Sequence, residues 1–231
     1  MSIHGLNKLT LLDFPGKVAA TIFLGGCNFR CPFCQNSELV LDPYSQPVIP
    51  TEDILAYLKK RQGLLDGVCI SGGEPTLYNE LIPLIRQIKE FGYLVKLDTN
   101  GFRPAVVKNL VEEGLIDMIA MDIKSSPEHY ALVAGVPTLD LVPIQQTVTY
   151  LLEGHVPYEF RTTVVKELHS EEDFRSIGQW IGGCSAYYLQ AYKDSPEVMK
   201  PGFSSYTRAE LEIFRQLLSE TIPKVEIRGI D

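Results

Sequence analysis

The chain has 231 residues, 45% of them hydrophobic and 22% charged, with a formal net charge of −8 at pH 7. That length accommodates one large domain or two small ones around a substantial core. The acidic balance argues against sequence-blind binding to a phosphate backbone, which needs a dense Lys/Arg surface, so no nucleic-acid partner is expected.

From the N-terminus, Met1–Gly16 lacks the basic flank, apolar core and small-residue cleavage site of a signal peptide. The first strongly apolar run, Val18–Gly26, reads as a strand and is too short to span a bilayer. No membrane partner is therefore expected, and the protein is expected in the cytoplasm, where thiols stay reduced. Helix Thr51–Arg61 follows, then strand Gly67–Gly73, helix Leu77–Phe91, strand Tyr93–Thr99 and helix Pro104–Glu113. Strand Ile116–Ile123, helix Leu139–Glu153, strand Pro157–Val165, helix Glu171–Ile181 and strand Ala186–Tyr192 complete the pattern. Ser170 with Asp173, and Thr207 with Glu210, have capping-box spacing or its Asp variant. Gly92 and Gly114 stand where a helix-terminating glycine belongs.

Alternating strands and helices imply a parallel sheet with helical crossovers, an α/β fold. Six such units suit a partial (β/α)6 TIM-like barrel with parallel strands, one domain over residues 1–231; a full barrel typically needs about 250 residues. A doubly wound open sheet is the competing arrangement, and periodicity does not separate the two. In either fold, ligands gather at the carboxyl ends of the strands. Cys27–Asn36, Gly72–Glu74, Asp98–Gly101 and Asp122–Lys124 all fall there, after four consecutive predicted strands.

Three of the five cysteines, Cys27, Cys31 and Cys34, form a C-x3-C-x2-C run within a loop containing Asn, Arg and Gln. Soft thiolates suit iron–sulfur clusters and zinc. A structural zinc site takes four protein ligands, and here a fourth would have to come from afar, since Cys69 and Cys184 stand alone. Three thiolates without a fourth leave one iron of a cubane cluster open.

The spacing, with Phe33 just before the third cysteine, is similar to the signature of the radical S-adenosylmethionine (SAM) superfamily. The resemblance implies that Cys27, Cys31 and Cys34 bind three irons of a [4Fe-4S] cluster and that SAM chelates the fourth. It assigns Phe33 and Gln35 to SAM contact. Ser71-Gly72-Gly73-Glu74-Pro75 resembles the family's GGEP motif, whose backbone holds the SAM amino group; as residues alone it reads equally as a tight turn. Asp98-Thr99-Asn100-Gly101 and Asp122-Ile123-Lys124 resemble strings of the glycyl-radical-enzyme activases, placing Asp98, Thr99, Asp122 and Lys124 beside SAM. Read alone, they are a helix cap with a turn and a local ion pair.

Leu11–Lys17 and Val225–Ile230 extend the match to the subgroup of anaerobic ribonucleoside-triphosphate reductase activating proteins. The implied activity is reductive cleavage of SAM to a 5′-deoxyadenosyl radical that takes hydrogen from a glycine of a partner glycyl radical enzyme. A low-potential electron donor such as flavodoxin or ferredoxin is the second implied partner. Pyruvate formate-lyase activases place a histidine over SAM after the sixth strand; here Leu189–Lys193 contains none, and Gln190 or Lys193 is the candidate for that place. His4, His129, His155 and His169 are scattered and indicate no metal site. Two alternatives stand beside this reading: a radical SAM enzyme acting on a small metabolite, and a non-catalytic zinc module.

Overall fold

The computed structural model describes residues 1–230. One eight-stranded sheet runs in chain order: β1 (Ile3–Thr10), β2 (Ala19–Leu24), β3 (Gly67–Gly72), β4 (Leu94–Thr99), β5 (Met118–Asp122), β6 (Tyr158–Val164), β7 (Tyr187–Ala191) and β8 (Val225–Arg228). β1 pairs antiparallel with β2, and every later pair is parallel. The helices are α1 (Ser37–Leu41), α2 (Thr51–Lys60), α3 (Leu81–Glu90), α4 (Pro104–Glu112), α5 (Tyr130–Val133), α6 (Val142–Leu152), α7 (Glu171–Trp180) and α8 (Arg208–Leu218). β1 and β8 end the sheet without pairing to each other, so the barrel is partial and open.

The six predicted strands are β2 to β7, each one to three residues shorter than expected. The sequence reading did not assign β1 or β8. β1 is half exposed, and its apolar residues do not alternate cleanly; β8 has only four residues, two of them charged. The helix expected over Leu77–Phe91 divides into a 3-10 turn, Pro75–Leu77, and α3. Glu74 caps that turn by accepting from the Thr76 N–H. Helix α6 starts at Val142, three residues later than predicted, because Asp140 accepts the Val142 N–H and Pro143 takes a first-turn position that needs no donor. Both capping boxes form, Ser170 with Asp173 and Thr207 with Glu210. Gly92 and Gly114 adopt φ of 86° and 66° just past α3 and α4.

Side chains alternate across a strand, so each strand has two environments. One row (Ile22, Ile70, Leu97, Ile119, Phe160 and Leu189) joins the core beneath the helices. The other row, facing the concave side, is polar: Thr21, Cys69 and Lys96 stand in register, as do Asp122, Arg161 and Tyr188. An apolar crust around a polar interior positions charged groups where water is scarce. No helix among the described residues is long and apolar enough to cross a membrane.

Candidate functional site

A cavity of about 300 Å³ opens at the carboxyl ends of β2 to β7. It is lined by all three clustered cysteines and by Phe33, Gln35, Gly72, Gly73, Asp98, Thr99, Asp122, Lys124 and Gln190. Every predicted site residue except Glu74 therefore reaches one space.

The cysteine loop is held by backbone contacts from several directions. The Arg30 N–H donates to the Ala134 carbonyl at 2.9 Å, and the Arg30 guanidinium donates to the carbonyls of Cys27 and Phe29. From the connection between β7 and α8, the N–H groups of Met199 and Lys200 reach the carbonyls of Cys34 and Pro32 at 3.0 and 2.9 Å. Gln35 donates through Nε2 to the Lys193 carbonyl at 2.7 Å. Lys193 thus contributes its backbone, whereas Gln190 lies on the cavity wall.

The glycine pair is required by close packing. A Cβ on Gly73 would overlap the Gly26 carbonyl, and one on Gly72 would overlap the Leu24 backbone. Gly72 also has φ of 114°, outside the range of other residues. Glu74 is 1% exposed, and its carboxylate is turned away from the cavity. It accepts from Thr76 and Thr99 hydroxyls at 2.5 and 2.8 Å, from Thr76 N–H at 3.1 Å and from Asn100 N–H at 2.7 Å. The side chain thus forms a brace between the loop after β3 and the loop after β4. Thr99 belongs to the same brace through its hydroxyl, which donates to Glu74, and it also lines the cavity.

Opposite the cysteines lies a chain of alternating charges. Lys96 pairs with Asp98; Arg161 reaches Asp98 at 3.2 Å and Asp122 at 2.5 Å; Lys124 reaches Asp122 at 2.8 Å. Three cations face two carboxylates, an excess of one positive charge. Burial alone would raise the carboxyl pKa values, but Arg161 with Lys96 holds Asp98 below its usual range, and Arg161 with Lys124 holds Asp122 well below it. Burial opposes the Lys124 charge, and Asp122 overrides it, so Lys124 stays firmly cationic.

Arg161 was missed from sequence. Its signal was a lone arginine in a β-branched strand, one register step from Asp122. His169 was missed too. It is 3% exposed, with Nδ1 3.1 Å from the Val165 N–H and Nε2 2.8 Å from the Lys124 carbonyl, and burial lowers its pKa and so favours the neutral ring. Its ring packs edge-on to Phe33 at 6.5 Å between centroids, so it backs both Phe33 and the Lys124 turn.

The thiols suit an iron–sulfur cluster. Burial pushes Cys27 up to about 12 and Cys31 to about 11 and raises Cys34, a cost that a bound metal centre reverses. Among the described residues no three His, Cys, Asp or Glu side chains converge on a single ion. Cys69 and Cys184 are fully buried and lie off the cavity.

The sequence profile of the Radical SAM superfamily matches residues 21–181. A Methanocaldococcus jannaschii protein named "Putative glycyl-radical enzyme activating enzyme" is 31% identical over 236 residues, covering 99% of this chain and 96% of its own. Streptococcus suis SuiB bound to S-adenosylmethionine superposes with a TM-score of 0.70 at 16% identity, over 90% of this chain and 52% of that one. A domain of pyruvate-formate lyase-activating enzyme from Bacteroides vulgatus superposes at 0.58 and 20% identity, over 71% of this chain and 99% of that domain. At such identities the two structures speak for the shared fold, a partial TIM-like barrel. With the profile covering most of its barrel and a relative matched end to end, the chain belongs to the radical SAM superfamily, whose cofactors are a [4Fe-4S] cluster and SAM.

Proposed function

We propose that the protein is a cytoplasmic glycyl-radical-enzyme activase whose partner is an anaerobic ribonucleotide reductase. The observation that carries this reading is the match over 99% of the chain to a relative named as an activating enzyme. The open side between β1 and β8 supports it, because a peptide segment needs a way to the cavity.

In this reading Cys27, Cys31 and Cys34 hold the cluster, and one iron is left for the amino and carboxylate groups of SAM. When bound, the pair supplies one-electron reductive cleavage of the SAM sulfonium and the hydrogen-atom abstraction that follows from it. The chain's own residues do the positioning. The single excess positive charge of the Lys96–Asp98–Arg161–Asp122–Lys124 chain balances the SAM carboxylate, with Lys124 the cation at its end. Asp98 and Asp122, kept ionised by Arg161, accept hydrogen bonds from the amino group and the ribose hydroxyls. Phe33 and Gln35 border the adenine, and the backbone of Gly72 and Gly73 borders the amino group. Gln190 closes the wall beyond Arg161. A low-potential donor such as flavodoxin or ferredoxin delivers the electron.

The test is direct. Reduced anaerobically and given SAM, the protein should leave an EPR-detectable glycyl radical on a reductase from the same cell. Brisk SAM cleavage with no radical on any glycyl enzyme would remove the activase reading in favour of a small-molecule substrate.

A further inference from the structure

Asn100 is 5% exposed and sits just past β4, against the cysteine loop. Its neighbours settle which way its carboxamide points. The Phe102 N–H donates to Oδ1 at 3.0 Å, so the NH2 group occupies the other side. From there Nδ2 donates to Asn28 Oδ1 at 2.8 Å and lies 3.9 Å from Cys27 Sγ. A second donor, the Phe29 N–H, reaches the same sulfur at 3.3 Å. Cys31 is treated differently: its Sγ faces the Ala134 carbonyl, an acceptor, at 3.8 Å.

The brace described above holds this donor in place. Glu74 accepts the Asn100 N–H at 2.7 Å, and the Glu74 N–H donates to the carbonyl of Gly26, the residue before Cys27, at 2.8 Å. One buried residue therefore ties the amide and the sulfur to the same frame. Phe29 and Phe102 pack edge to face at 5.9 Å and close the corner to water.

We propose that Asn100 sets the reduction potential of the cluster by hydrogen-bonding the Cys27 thiolate. The inference rests on the reading that Cys27 is a cluster ligand. An N–H aimed at a ligating sulfur withdraws charge from it, and the reduced cluster, richer by one electron, gains more from this than the oxidised one. Such donors raise the potential, and scarce water strengthens their effect.

Asn100→Leu removes the donor at similar volume, and Asn100→Asp keeps the shape while placing an acceptor at the sulfur. Both are purified anaerobically with the parent, assayed for iron and sulfide, and titrated redox-potentiometrically by EPR. Both should retain the cluster and become harder to reduce, Asn100→Asp more so than Asn100→Leu. The expected change in the reduction equilibrium is up to about tenfold for Asn100→Leu, about 59 mV for a one-electron couple. Midpoints matching the parent's in both variants would overturn the assignment. Loss of the cluster from both, with native circular dichroism, would overturn it too, by making Asn100 an assembly residue. A parent without iron or sulfide would instead fail the ligand assignment beneath it, before any variant is compared.

Discussion

The two walls of the cavity are built by different physics. The cysteine wall is one short loop held by main-chain hydrogen bonds to the Ala134 carbonyl and from the Met199 and Lys200 N–H groups, and by the absence of side chains at Gly72 and Gly73. The facing wall is assembled from side chains on β4, the carboxyl end of β5 and β6, held by alternating charge. Backbone bonds survive most side-chain changes, whereas a charge chain loses its balance when one member leaves. The cysteine wall should therefore fail by displacement and the charged wall by electrostatics.

The largest effect is expected at Arg161. Arg161→Met leaves Asp98 and Asp122 without their shared cation, and losing one partner of a buried pair typically costs about 3–5 kcal/mol. Urea unfolding should show that loss; a cost under about 1 kcal/mol would mean that Lys96 and Lys124 suffice. Gly73→Ala should act on the other wall by pushing its methyl group into the Gly26 carbonyl, with a cost of about 1–3 kcal/mol. Its signature is reduced iron and sulfide content at unchanged secondary structure.

His169→Phe keeps the ring packing but abandons the Lys124 carbonyl and Val165 N–H, for about 1–3 kcal/mol. Burial holds the His169 pKa below its usual 6.5, so the unfolded state takes up the proton more readily. That contribution is fully present above about pH 6.5 and is lost as pH falls, and His169→Phe should flatten this part of the stability profile. At more acidic pH, burial opposes ionisation of Asp173, but hydrogen bonds from Ser126, Ser170 and His129 bring its pKa to about 2 from 3.8. Stability from this group is present above 3.8 and fades toward about 2, and Asp173→Asn should remove that dependence. The smallest effect is expected at Thr207→Ala, about 1 kcal/mol from one capping box far from the cavity.

The same contrast explains what was legible in the sequence. Cys27–Cys34, Gly72–Gly73 and Asp98–Thr99 are contiguous strings, because a loop at a strand end needs consecutive residues to shape it. Arg161 reaches Asp122 from 39 positions away and His169 reaches the Lys124 carbonyl from 45, and nothing local marks either as a site residue. Glu74 was legible as part of a motif, whereas the partners of its carboxylate, Thr76, Thr99 and Asn100, come together only on folding. The barrel core was readable from apolar runs. β1 and β8 were not, because edge strands half in water lose the pattern that betrays a buried strand.

The central claim is that the cysteine wall holds the cluster and the charged wall is needed to hold SAM against it. EPR of the reduced protein, recorded with and without SAM in the parent and in Arg161→Met, tests it most directly. The account predicts a [4Fe-4S] signal in both proteins, reshaped by SAM in the parent and unmoved by SAM in the variant. A parent spectrum indifferent to SAM, or a variant that responds as the parent does, would contradict it.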